Sequence, residues 1–122
     1  MGAKVVDASA LSALIFGEPA AEAVADELGQ DSLLAPVLIE YEIGNTCWKK
    51  MRRHPASADV LREAFALLPR LDLRLHDPEP QQVLALAVER GVSFFDASYL
   101  WLAESLRLPL VSLDQRLLAA RR

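Results

Sequence analysis

A chain of 122 residues with 52% apolar content is the size of one compact domain and can bury a substantial core, so residues 1–122 are expected to form a single domain. No run approaches the ~20 consecutive apolar residues of a membrane span, and Met1 to Asp7 lacks the basic start and long apolar centre of a secretory signal, so a cytoplasmic protein without membrane association is expected. One cysteine, Cys47, and two histidines, His54 and His76, exclude an internal disulfide and argue against a Cys/His zinc site, and the net charge of −4 excludes a broadly positive surface.

In chain order, Lys4 to Asp7 reads as a first β-strand, followed by helical sequence over Ala8 to Phe16. After Gly17-Glu18-Pro19 a second helix is expected over Ala20 to Gly29, ended by its glycine. Ser32 to Ala35 is the second strand. Pro36 then opens a long helix to Arg53 and Pro55 another to Leu68, proline suiting a first helical turn whose N–H has no partner. Leu71 to Leu75 is the third strand; Pro78 and Pro80 introduce a helix over Gln81 to Arg90, closed by Gly91. Asp96 begins a helix to Leu106, Leu110 to Leu113 is the fourth strand, and Gln115 to Ala120 is a last short helix. Strands separated by helices pair in parallel, because each parallel connection needs a crossover of about a dozen residues. The predicted fold class is therefore α/β, a three-layer α/β/α arrangement.

In an open parallel sheet, ligands bind just beyond the carboxyl ends of the strands. Asp7 closes the first strand, Asp114 the fourth, and Asp96 follows the apolar run Val92 to Phe95 at the start of its helix. Each could simply be an N-cap, accepting hydrogen bonds from the first helical turn. Capping does not explain why none of the three is Ser, Thr or Asn, which would cap nearly as well. Glu42 lies on a narrow polar stripe with Asn45, Thr46 and Lys49, on a helix otherwise covered by residues such as Ile39, Tyr41, Ile43 and Trp48 and therefore expected to be largely buried. A carboxylate there needs a cation or stays protonated; the competing reading is an edge residue paired with Lys49. Glu40 points away and belongs to the surface. Four carboxylates meeting at one sheet edge would repel one another, and an all-oxygen donor set suits Mg²⁺ or Mn²⁺, whose chemistry with phosphates is phosphodiester hydrolysis.

These residues stand in ordered segments: Val5-Val6-Asp7-Ala8-Ser9-Ala10-Leu11, Glu42-Ile43-Gly44-Asn45, Phe95-Asp96-Ala97-Ser98-Tyr99-Leu100 and Leu110-Val111-Ser112-Leu113-Asp114. In that order and spacing the chain resembles PIN domains of the VapC type, toxins of bacterial toxin–antitoxin pairs, over essentially its whole length. The resemblance implies a PIN-like sheet of four or five parallel strands; many such proteins add a terminal strand after the last helix, where this chain stops at Arg122. It implies that Asp7, Glu42, Asp96 and Asp114 form the catalytic, metal-holding quartet, with Ser9, Asn45 and Ser112 orienting carboxylates or waters around it. Ser9 as a cap and Asn45 as an edge residue remain open as simpler readings. The implied activity is endoribonuclease action with Mg²⁺ or Mn²⁺, the partners an RNA substrate, a small VapB-type antitoxin and a second copy in a homodimer. A PIN-like nuclease of RNA maturation, or a binding module whose aspartates only cap helices, stands as the alternative.

The remaining features carry less. Lys49, Lys50, Arg52 and Arg53 could contact phosphate near Glu42 or merely complement a helix C-terminus. Leu11, Leu14, Ile15 and Phe16 could receive an antitoxin segment or a second subunit, although core packing is the simpler assignment. Trp48 and Trp101 are expected in the core or an interface rather than as base-stacking platforms, and His54 and His76 on the surface or in loops.

Overall fold

The computed structural model describes residues 2–122. Its elements follow the order β1 (Ala3–Val6), α1 (Ala8–Ile15), α2 (Ala21–Leu28), β2 (Ser32–Pro36), α3 (Ile39–Arg53), α4 (Ala58–Phe65), β3 (Leu73–His76), α5 (Pro80–Arg90), α6 (Phe94–Leu106), β4 (Leu110–Val111) and α7 (Gln115–Ala120). The four strands are all parallel, in the order β3-β2-β1-β4, with Val5 in register with Leu34 on one side and Leu110 on the other. Among the described residues seven α-helices flank this sheet in a three-layer α/β/α fold. Among the described residues no helix is long and apolar enough to cross a membrane.

The strand order decides where a ligand can sit. The chain steps from β1 out to β2 and β3, then returns across the sheet to place β4 on the far side of β1. The connections on either side of β1 therefore diverge, leaving a crevice beyond the carboxyl ends of β1 and β4. Val5, Val6, Leu34, Ala35 and Val111 are buried, with Ile39 and Ile43 of α3 and Leu100 and Leu102 of α6 closing over them. Full burial of each such side chain is worth about 1.5–3 kcal/mol, so the strand ends are held by a packed core rather than by loops. Leu11 is in that core and Leu14, Ile15 and Phe16 pack against it, as the simpler assignment had it.

Several boundaries differ from expectation, each for a local reason. Pro36 does not open a helix: it ends β2, paired with His76 of β3, and α3 starts only at Ile39. At that position the ladder asks nothing of the missing N–H, since the next hydrogen bond is made by Val37 N to His76 O at 2.8 Å. The stretch from Pro55 to Leu68 is not one helix. Pro55–Ser57 forms a single 3₁₀ turn, α4 covers only Ala58–Phe65, and a second 3₁₀ turn spans Leu68–Arg70. Pro69 has no N–H to bond the Phe65 carbonyl four residues back, so the α-helical pattern does not run through it, and β3 begins only at Leu73. Helix α6 begins at Phe94, because Ser93 rather than Asp96 is its N-cap.

Candidate active site

The carboxyl end of β1 delivers Asp7 into the crevice, only 5% exposed. It caps α1 through Ala10 N to Oδ1 at 3.0 Å, and its own backbone N donates to Val111 O of β4 at 3.1 Å. The cap interpretation is thus correct as far as it goes. The same carboxylate also accepts the Ser9 hydroxyl on Oδ1 at 2.7 Å and the Ser112 hydroxyl on Oδ2 at 2.6 Å. Ser9 Oγ in turn accepts Leu113 N at 2.9 Å, and Ser112 Oγ accepts Asp114 N at 2.9 Å. Two serines therefore lock the end of β1 to the segment after β4, fixing Asp7 and presenting Asp114. Asp114 caps α7 through Oδ1, accepting Arg116 N at 3.0 Å and Leu117 N at 3.2 Å.

Asp96 reaches the crevice differently. It lies in the first turn of α6, its backbone N donating to the Ser93 hydroxyl at 3.0 Å, so its side chain is released from capping. Burial raises its pKa, and the neighbouring charges of Asp114 and Asp7 raise it further against a partial offset from Ser93. Ser93-x-x-Asp96 ahead of an apolar run is a helix-start pattern visible in the sequence, and it explains why the absence of a serine cap was only apparent.

Glu42 sits in the first turn of α3, half-buried. Burial raises its pKa first; the charges of Asp96 and Asp7 add to the rise, and a hydrogen bond from Tyr99 opposes it. That bond, Tyr99 Oη to Glu42 Oε1 at 2.6 Å, stands where the competing reading placed a pairing with Lys49. Tyr99 is 2% exposed, and burial together with Glu42 pushes its phenol far above the ordinary range, so it remains a donor at every working pH. Tyr99 was not singled out from sequence, although it follows Asp96 by three residues and so shares its helix face. Ser12 was also missed: it is buried, lines the crevice, and its hydroxyl has no hydrogen-bond partner among the described residues.

Three adjoining clefts open along this edge. One of ≈ 530 Å³ is lined by Ser9, Ser12, Glu42, Asn45, Lys49 and Leu113; a smaller one of ≈ 260 Å³ is lined by Asp96, Asp114 and Arg116 among others. A third, of ≈ 350 Å³, runs from Glu42 and Asn45 to Tyr41 and Phe95. Asn45 faces the first cleft with Glu42 but is exposed and hydrogen-bonds to neither Glu42 nor Ser9, so its part as an orienting group has no contact behind it. Each of the four carboxylates stands at or within the first turn of a helix, α1, α3, α6 or α7, where the helix dipole favours negative charge. That field softens the mutual repulsion without removing it, as the raised Glu42 and Asp96 show.

The expectation that α3 is largely buried does not hold. Only Ile39, Ile43 and Cys47 are buried, while Tyr41 is 82% and Trp48 53% exposed. The helix therefore shows an open face on the crevice side. Trp101, by contrast, is partly buried and donates Nε1–H to Gln82 Oε1 at 3.0 Å.

Whether a divalent cation suits these residues turns on the donor set. Among the described residues no three Asp, Glu, His or Cys side chains are gathered closely enough to enclose an ion. Mg²⁺ does not require such a cage: it is commonly held by one or two carboxylates, with waters and substrate phosphates completing the shell. An all-carboxylate edge with two members pushed towards the neutral form is an excess of negative charge that such an ion would neutralise.

Fold and crevice together define an α/β/α protein with an acidic cleft at the switch point of a parallel sheet. The chain belongs to the PIN domain family, whose description it matches over residues 4–122. It is 44% identical over 80 residues to Exonuclease VapC9 of Pyrobaculum aerophilum, an alignment covering 65% of this chain and 59% of that protein. Ribonuclease VapC3 of the same organism is 32% identical over 93% of this chain and 90% of its own length, and Ribonuclease VapC1 of Mycobacterium tuberculosis is 31% identical over 95% and 89%. The crystal structure of PAE2754 from Pyrobaculum aerophilum superposes with a TM-score of 0.80 at 35% identity, covering 99% of this chain and 86% of that one.

Proposed function

We propose that this protein is a Mg²⁺- or Mn²⁺-dependent endoribonuclease acting as a VapC-type toxin, with Asp7, Glu42, Asp96 and Asp114 as its metal-holding quartet. One observation supports the reading: beyond burial, carboxylates from separate segments act on one another, Asp96 and Asp7 raising Glu42, and Asp114 and Asp7 raising Asp96. The names of the similar VapC proteins support ribonuclease chemistry over simple binding. A bound divalent ion would supply a water of lowered pKa and neutralise charge developing on the scissile phosphate. The chain's own residues do the rest. Ser9 and Ser112 hold Asp7 in one orientation, the Tyr99 hydrogen bond favours the ionised form of Glu42 against burial, and Ser93 takes the N-cap position of α6 so that Asp96 does not.

A VapB-type antitoxin, a homodimeric assembly and a cytoplasmic location complete the proposal; co-purification with the product of a neighbouring reading frame and solution mass test the first two. The name of VapC9 raises attack from a strand end as a competing mode. Sequencing of RNA ends after incubating purified protein with total RNA and Mg²⁺, against an Asp96→Asn control, decides between them. New internal ends that require both Asp96 and the metal support the proposal. Progressive shortening from a terminus gives the exonuclease mode, and identical ends in both samples overturn nuclease action altogether.

A further inference from the structure

We propose that the open face of α3 is a track for a single RNA strand, in which Trp48 stacks a base while Lys49, Arg52 and Arg53 take its phosphates; this rests on the reading that the adjoining carboxylates cut RNA. The clefts are continuous through shared walls. A cleft of ≈ 480 Å³ lined by Trp48, Lys49, Arg52 and Arg53 meets the acidic cleft at Lys49, and the acidic cleft meets the Tyr41 and Phe95 cleft at Glu42 and Asn45. Tyr41, Asn45, Trp48, Lys49 and Arg52 recur at helical spacing, so they form one stripe. At ~1.5 Å per residue that stripe is about 16 Å long, with Glu42 beside its Tyr41 end.

The chemistry of the stripe matches a nucleic-acid strand. In a chain of net charge −4, Lys49, Arg52 and Arg53 have no carboxylate partner among the described residues, whereas adjacent Lys50 is taken by Glu18 at 3.3 Å. Unpaired cations grouped at one end of an acidic cleft provide the local positive patch that phosphate binding needs. Trp48 faces solvent although its helix buries smaller apolar residues, and the Arg52 guanidinium lies 4.9 Å from its ring centre, which orients one ring face and leaves a platform open. Exposed aromatic rings beside cations bind unpaired bases, which a duplex keeps stacked inside. Tyr41 and Phe95 give the far end of the track the same character.

The test is binding of a labelled oligouridylate by fluorescence anisotropy in EDTA, followed by cleavage kinetics with Mg²⁺. Trp48→Ala is expected to weaken binding about 5- to 100-fold and to raise KM with kcat retained, while Trp48→Phe keeps most of the affinity. Arg52→Ala and Arg53→Ala should each reduce the slope of log K against log salt by about 0.7. An RNA duplex should bind more weakly than the single strand. Circular dichroism of each variant shows whether the fold is kept, and Trp48→Phe covers the case in which alanine disturbs it. Unchanged binding and KM in both Trp48 variants would remove the track while leaving the nuclease intact, as would a Trp48→Ala change in solution mass with unaltered RNA affinity. Trp48-dependent binding without any metal-dependent cleavage would keep the track and overturn the nuclease.

Discussion

Helix α6 carries one carboxylate in its first turn and another near its last, and their surroundings differ in kind. Asp96 faces other carboxylates and is pushed towards its neutral form, first by burial and then by Asp114. Glu104, further along the same helix, accepts Arg90 Nη1 and Nη2 at 2.6 and 2.7 Å and Arg122 N at 2.9 Å, and the guanidinium holds it below its ordinary range. Arg90 also donates to Ala120 O at 2.9 Å, so this cluster fastens α5, α6 and the end of α7 together. Arg121 reinforces it with a hydrogen bond to Leu108 O. Glu104 is matched by a guanidinium, whereas Asp96 at the sheet edge is set against the charges of other carboxylates.

The sharpest way to test the contrast is to neutralise each kind of site. Asp7→Asn, Asp96→Asn and Asp114→Asn are each expected to lower RNA cleavage by roughly 10²-fold or more while the protein still folds, read from initial rates alongside a urea melt. Wild-type rates in all three would end the proposal. Ser112→Ala removes one of the two hydroxyls that hold Asp7, and an activity loss of about 10- to 100-fold is expected. A metal titration of the rate should show that more Mg²⁺ recovers part of that loss.

The opposite region should respond in stability alone. Glu104→Gln or Arg90→Met is expected to destabilise by about 2 kcal/mol at neutral pH, with the rate per folded molecule unchanged. Because the pKa of Glu104 is depressed in the fold, its contribution is present above the unfolded value and is lost as pH falls through the folded one; wild type and Glu104→Gln should therefore converge in acid. Glu42 and Asp96 have the reverse sign. Their folded values lie above the unfolded ones, so in EDTA their unfavourable contribution is absent at low pH and grows as pH rises through that interval. The Glu42→Gln, Asp96→Asn double variant should then exceed wild type in urea midpoint at neutral pH without metal and lose that advantage in acid.

The smallest effect is expected at Tyr99→Phe. Without the phenol that lowers its pKa, Glu42 should ionise at higher pH. The acidic limb of the cleavage profile should shift upward with little change in the plateau; a shift in the other direction would show that Tyr99 does not act through Glu42.

Much of the architecture was legible in order along the chain. Strand–helix alternation gave the parallel α/β/α class, and acidic residues after strands pointed to one edge, because period and position are local properties. Proline was the weakest guide: Pro36, Pro55 and Pro69 each mark an interruption, but whether proline ends a strand, starts a helix or divides one depends on which N–H groups the neighbours need. Burial of α3 failed for a related reason. Apolar residues around most of a helix do not say how many layers cover it, and only the Ile39, Ile43 and Cys47 side found a partner.

The linear order of residues settled the element types, the parallel pairing and the identity of the acidic candidates, since hydrophobic period and helix caps act over a few neighbours. Only the packed fold decided that Tyr99 rather than Lys49 meets Glu42, that Ser9 and Ser112 join Asp7 to the segment after β4, and that Trp48 faces outward. Those facts depend on segments as far apart as Asp7 and Ser112 being brought to one place by a strand order that no local pattern encodes.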